Sequence, residues 1–315
     1  MNPRWIVTVL AAALAALAAL AAAFLVACGA GGGDAGGSAH VTAVATTTQV
    51  ADLTRAVAGD RAGVRQILQP NSDPHEYEPR PSDVKQVAGA DVVLRSGGDL
   101  DSWLDGVLRN AGSDARIVTL IDAMTARRGE GEVDPHWWQN PRNAILAVRE
   151  IRGALIAADP GGRAAYTANA AAYTAKLRRL DRAIASCMRA IPAAERKLVT
   201  DHDALGYYAD RYGIEVIGTV IPALSTQAQA SAGAVARLVR TIRAAGVATI
   251  FPESSVNAKL TRAIARDAGA TVGPPLYADT LGPQGSAGAT YIGSLRFNTR
   301  ALAGGFTGAA GRCQL

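Results

Sequence analysis

Aromatic residues are scarce in this 315-residue chain, only 5%, so its cores must be built from Ala, Val, Leu and Ile, the bulk of a 49% hydrophobic content. Charged residues are also few, 19%, and their balance is only +5. No run of lysine and arginine interleaved with aromatics occurs, so the pI of about 9.3 reflects scattered arginines rather than a nucleic-acid footprint. Cysteine is limited to three residues and histidine to four. This composition excludes a disordered chain, and 33 glycines without a triplet period exclude a collagen-like one. At roughly 100 to 200 residues per domain, the length fits two domains.

A long apolar run occurs at the amino end. Residues 1–27 carry one charged side chain, Arg4, followed by an apolar stretch from Trp5 to Ala27 that reads as an export signal. It ends at Leu25-Val26-Ala27-Cys28-Gly29, which resembles the bacterial lipobox, where cleavage exposes a cysteine that receives diacylglycerol. An uncleaved anchor is the alternative. Both place the remainder outside the cytoplasmic membrane. Residues 28–40 are a glycine-rich tether, GAGGGDAGGS at its centre, and His40 at its border is expected to be solvent-exposed. With Cys28 lipidated, Cys187 and Cys313 are left as a disulfide or as two buried thiols.

From residue 41 short β-branched runs alternate with helical stretches, the pattern of an α/β fold around mostly parallel sheets. Strands are predicted at Val41 to Thr46, Val64 to Leu68, Asp91 to Arg95 and Arg116 to Leu120, with helices at Gln49 to Ala58, Pro81 to Ala88 and Leu100 to Asn110. Residues 41–140 form one lobe. In the connecting segment, 141–192, Pro141 to Ala158 reads as a helix opening on proline, and Arg163 to Ala190 as one uninterrupted helix roughly 42 Å long. Alternation resumes over 193–315, a second lobe. Its predicted strands are Lys197 to Thr200, Glu215 to Val220, Thr249 to Phe251 and Thr271 to Leu276. Its predicted helices are Ala204 to Tyr212, Ala230 to Ala244, Ala258 to Ala268 and Ala289 to Gly304.

Three of the four histidines stand in loops beside acids: Asp73-Pro74-His75-Glu76, Asp134-Pro135-His136 and Asp201-His202-Asp203. Imidazole is a common ligand for Zn, Mn, Fe and Cu, and an adjacent carboxylate can orient the ring. None of the three pairs has a local ligand spacing such as HExxH, so a metal site requires that they converge in space. The carboxyl ends of the strands, where open α/β sheets bind ligands, are where His75 and His202 would fall.

The segments QPNSDPHEYEPRPSDVKQVAGADVVLRSGGDLDSW, DPHWWQNPRNAI, LVTDHDALGYYADRYGIEVIG and PLYADTLGPQGSAGATYIGSLRFNTRAL follow in this order. Together they resemble the cluster A-I zinc- and manganese-binding solute receptors of bacterial ABC transporters, over residues 41 to 305. The resemblance implies two βα lobes, each around a four-stranded sheet, joined by one long rigid helix, with one divalent metal in the cleft. It implies the ligands His75 (DPHEYEP), His136 (DPHWWQNPRN), His202 (TDHDALGYYADRYG) and Asp279 (YADTLG). It further implies a monomeric, lipid-anchored receptor on the outer face of the cytoplasmic membrane, which delivers its ion to a permease with a cytoplasmic ATPase. Such a receptor is not an enzyme and binds no nucleic acid.

Manganese members of the family often have a carboxylate where this chain has His202, which favours Zn2+ over Mn2+. Met124 to Val133 contains no histidine, so the His-rich insertion of many zinc members is absent. Asp201 stands where a small polar residue is more usual. Glu253, in FPESSV, either contacts the site from behind, as Asp201 would, or caps a helix. Trp137 and Trp138 either shield the cleft or pack in the core. Arg142 and Arg296 resemble cleft-structuring positions, with an ordinary salt bridge as the alternative for both. Competing functions are a secreted metallohydrolase using the same ion at an open coordination position and a surface adhesin. Histidine ligation predicts that affinity falls as pH drops through roughly 6.5.

Overall fold

The computed structural model describes residues 41–129, 131–308, 313 and 315. The signal segment 1–27, Cys28, the tether 28–40 and His40 lie outside the described residues. Four short strands, β1 (Thr42–Ala45), β2 (Gly63–Gln66), β3 (Val92–Arg95) and β4 (Arg116–Thr119), form an all-parallel sheet in the order β2-β1-β3-β4. The central strands TAVA and VVLR are apolar except for the half-buried Thr42 and Arg95 at one end of each, as strands covered on both faces require. Ala43, Ala45, Val92 and Leu94 enter the main core, while Val44 and Val93 face the other side with Leu104 and Val107. The crossovers are α1 (Thr48–Ala58), α2 (Pro81–Ala88) and α3 (Leu104–Ala111).

Helix α3 begins later than the predicted Leu100 because Asp101 has other work. Its buried carboxylate accepts hydrogen bonds from Thr46 Oγ1 (2.7 Å), Ser96 N (2.7 Å) and Gly97 N (3.0 Å), which fixes the loop after β3 and leaves residues 101–103 as a turn.

The connecting segment carries α4 (Pro141–Ala158), capped by Asn140, and α5 (Arg163–Arg189), 27 residues long. Buried Tyr166, Ala170, Leu177, Leu180, Ile184 and Met188 recur at three-, four- and seven-residue spacing along α5, one face of the helix. The helix packs on α4 beside it, on α1 of the first lobe and on helices α6 (Gly206–Tyr212) and α9 (Tyr291–Thr307) of the second, so one apolar core runs through both lobes. Cys187, near its end, is disulfide-bonded to Cys313 with Cα atoms 5.2 Å apart.

The second lobe repeats the first in a looser form. Strands β7 (Lys197–Thr200) and β8 (Glu215–Thr219) pair in parallel, as do β9 (Thr249–Ile250) and β10 (Thr271–Val272). A bridge between Thr200 and Phe251 joins the two pairs in the order β8-β7-β9-β10. The sheet is therefore two paired ladders joined by a bridge rather than one continuous ladder. Proline is the reason: Pro252 ends β9, and Pro274 and Pro275 remove the donors that would extend β10 to the predicted Leu276. Pairing resumes at Leu276, whose N–H donates to Pro252 O at 2.8 Å.

Helices α6, α7 (Ala232–Ala245), α8 (Lys259–Ala268) and α9 surround this sheet. Helix α9 runs past the predicted stop at Gly304 to Thr307, and Gly305 within it packs directly on Phe251, leaving no room for a Cβ. The segment Met124 to Val133, where the sequence predicts no element, contains the two-residue antiparallel strands β5 (Arg128–Gly129) and β6 (Glu132–Val133), too short to leave a period in the sequence. Among the described residues no helix is long and apolar enough to cross a membrane.

Candidate metal centre

Each lobe offers the carboxyl ends of its strands to the other, and the acid-flanked histidines stand there. His202 follows β7, Asp279 lies in the loop beyond β10, His75 in the loop between β2 and α2, and His136 just before α4. One ligand atom from each of the four lies within 4.8 Å of every other. His136 Nε2 is 3.4 Å from His75 Nε2 and 3.4 Å from His202 Nε2. The Asp279 oxygens lie 3.2 Å from His202, 3.3 Å from His136 and 3.5 Å from His75 Nε2. These five separations lie near the roughly 3.3 Å between ligand atoms of a tetrahedron with 2.0–2.1 Å bonds, those to Asp279 being divided between its two oxygens. Both Asp279 oxygens are buried without a hydrogen bond of normal geometry. A charge so placed is costly unless a cation faces it.

The ring orientations are set from behind. Asp134 Oδ1 lies 2.8 Å from His136 Nδ1 and accepts the His136 N–H at 2.9 Å. Glu253 stands in the same place behind His202: Oε1 accepts the backbone N–H at 2.9 Å, and Oε2 is 2.8 Å from Nδ1 as an ion-pair contact rather than a hydrogen bond of normal geometry. With Nδ1 engaged, Nε2 of each ring is directed at the shared centre. Asp201 stands one step further out: its carboxylate accepts the Glu253 N–H at 2.7 Å and the Thr261 hydroxyl. Burial and the neighbouring Glu253 push the Asp201 carboxyl up to about 6.

The loop carrying Asp279 is stitched to the first lobe. Trp138 Nε1 and Gln139 Nε2 both donate to Ala278 O, at 2.8 and 2.7 Å. Leu281 N donates to Thr48 Oγ1 at 2.8 Å, and Asn71 N to Thr280 Oγ1 at 3.1 Å. Trp137 and Trp138 are both core residues. Trp138 also stands edge-on to His136 with ring centres 5.4 Å apart, so it packs and shields at once. Arg142 pairs with Asp181 at 3.3 Å, and Arg296 is exposed on α9. His75, the one partly exposed ligand candidate, borders a cavity of about 140 Å³ also lined by Asp99, Ser102, Glu132 and Gln227. No local pattern marks Thr48, Gln139 or Thr280, whose partners are distant in sequence.

Without a metal His136, His202 and Asp279 compensate one another. Burial disfavours charge on His136, but Asp279 and Asp134 outweigh it and raise its pKa to about 9. His202 is likewise raised, by Glu253 and Asp279 against burial. Burial would raise Asp279, yet the His202 and His136 rings hold it well below the usual carboxylate range. The acids that orient the rings therefore move proton competition upward from the 6.5 expected of free histidine.

Residues 43–305 match the family model described as ZnuA, zinc-uptake complex component A, periplasmic. The chain belongs to this family. A manganese-binding lipoprotein of Halalkalibacterium halodurans is 31% identical, over 90% of this chain and 95% of its own length. An iron ABC transporter substrate-binding lipoprotein of Streptococcus pyogenes serotype M1 is 29% identical over 87% of this chain and 91% of its own. The periplasmic zinc-binding protein of Treponema pallidum superposes with a TM-score of 0.80 at 26% identity, covering 85% of this chain and 99% of that one. These three similar proteins are thus named for three different metals.

Proposed function

We propose that this chain is an extracytoplasmic receptor that captures Zn2+, with Mn2+ as the alternative cargo, through His75, His136, His202 and Asp279. The observation that carries the reading is the set of 3.2–3.5 Å separations among three imidazole nitrogens and one carboxylate, closed around a single centre. Four protein ligands leave no open position for an activated water, so the site binds and releases rather than reacts. Three nitrogen donors favour zinc over manganese by intrinsic affinity, and the imidazole of His202 supports that choice. Glu253 orients His202 directly, and Asp201 fixes Glu253.

In this reading residues 1–27 are removed, Cys28 carries the lipid, and 28–40 tether a monomer whose lobes span 41–140 and 193–315 about the 141–192 connection. The ion passes to the permease of an ABC importer driven by its cytoplasmic ATPase. The test is cellular: deleting the gene lowers cell zinc, measured by mass spectrometry under chelator, and restoring the chain recovers it while manganese is unchanged. Loss of manganese alone would assign the other cargo, and loss of neither would refute the receptor.

A further inference from the structure

Arg127 lies in the segment before β5, where the sequence alone gives it no role. Its guanidinium reaches both lobes at once. Nη1 is 2.9 Å from Asp134 Oδ2 and 3.7 Å from Asp203 Oδ2, and Nε is 3.0 Å from Asp210 Oδ2. Asp134 uses its other oxygen to orient His136, Asp203 follows His202 directly, and Asp210 lies in α6 of the same lobe as His202. The backbone doubles the connection: Arg127 N–H donates to Tyr207 OH at 2.8 Å, and that hydroxyl donates to Asp134 O at 3.1 Å.

The start of α6 is shaped for this contact. A Cβ on Gly206 would stand 2.3 Å from Arg127 Cζ, so the guanidinium lies flat against a position that only glycine leaves open. The planar fork holds carboxylates on two sides in a fixed geometry, which the rotatable point charge of an ammonium does not impose.

We propose that Arg127 is a positioning residue for metal retention, coupling the orientation of His136 to the closure of the two lobes and thereby setting how fast the ion leaves. This rests on the receptor reading above. Opening the lobes separates Asp134 from Asp203 and Asp210, and Arg127 is the cation that holds them together. Without it the four ligand side chains remain, but Asp134 loses its partner and the closed arrangement loses an inter-lobe bridge.

The test uses the full chain loaded with Zn2+, with release followed by stopped flow into excess chelator, beside Co2+ absorption spectra that report the ligand set. Arg127→Met is expected to bind one ion with the wild-type cobalt spectrum and to release it about 10- to 100-fold faster, the range typical of groups behind a metal ligand. Arg127→Lys should restore little of this. Gly206→Ala keeps the arginine but displaces its guanidinium, so it should speed release in the same direction, and it carries the test if Arg127→Met fails to fold. Wild-type release in a folded Arg127→Met or Gly206→Ala protein, or full rescue by lysine, overturns the proposal while leaving the receptor intact. A wild-type chain that binds neither ion overturns both.

Discussion

Zinc binding to this site should expel protons, and the number follows from the charges around the rings. His136 in the metal-free protein has a pKa of about 9, against about 6.5 for a free imidazole. At pH 7 such a group is about 99% protonated, so freeing its nitrogen for a metal costs about 3 kcal/mol, or about 100-fold in affinity. His202, raised by Glu253 and Asp279, adds a second proton. Two signs follow. The metal-free fold gains stability from protonated His136 fully below about pH 6.5 and loses it as pH rises through about 9. Zinc affinity moves the other way, climbing by up to about 100-fold between pH 7 and about 9 for the His136 proton alone. Calorimetric titration in buffers of different ionisation enthalpy counts the protons, and close to two per zinc are expected at pH 7. Fewer than one, or an affinity indifferent to pH across this range, would refute the electrostatic reasoning.

Other substitutions test the supports. Glu253→Gln keeps an acceptor for the His202 N–H but removes the charge at Nδ1, and should weaken zinc binding about 10- to 100-fold in a competitive titration. Reducing the Cys187–Cys313 disulfide, which closes a loop of 126 residues, should cost at most about 5 kcal/mol and lower Tm by at most about 10 °C, read by calorimetry with and without reductant. Asp181→Asn should cost about 1–3 kcal/mol in denaturant unfolding, because its carboxylate accepts from Arg211 Nη2 at 2.7 Å and from the Tyr212 hydroxyl at 3.1 Å. Burial raises the Asp181 carboxyl, but Arg211 outweighs it and holds it below its ordinary value. The stabilisation is therefore present above about pH 3.9 and lost as pH falls through the lower folded value.

How much of this is legible in the sequence depends on the range over which each feature acts. Helices α2 and α4 match their predicted limits, because proline opens both and the amphipathic pattern is local. Helix α3 starts late because Asp101 serves a loop that no helical period encodes. Strand β10 stops at Val272 because two prolines act on the ladder, a signal that was present in the sequence and outweighed by the β-branched run before it. Acidic neighbours single out His75, His136 and His202, whereas Asp279 follows only from the YADTLG resemblance, since no spacing relates it to a histidine. Arg127 is silent in the sequence: its partners Asp203 and Asp210 lie far along the chain, and only folding brings them to one guanidinium.

The most direct measurement is a competitive Zn2+ titration of the chelator-stripped protein beside its His202→Ala variant. One ion per chain, with affinity collapsing by about 100-fold or more when this ligand is removed, is the expected result. No binding, or binding indifferent to His202, would contradict the receptor assignment and leave the likeness to metal transporters one of architecture alone.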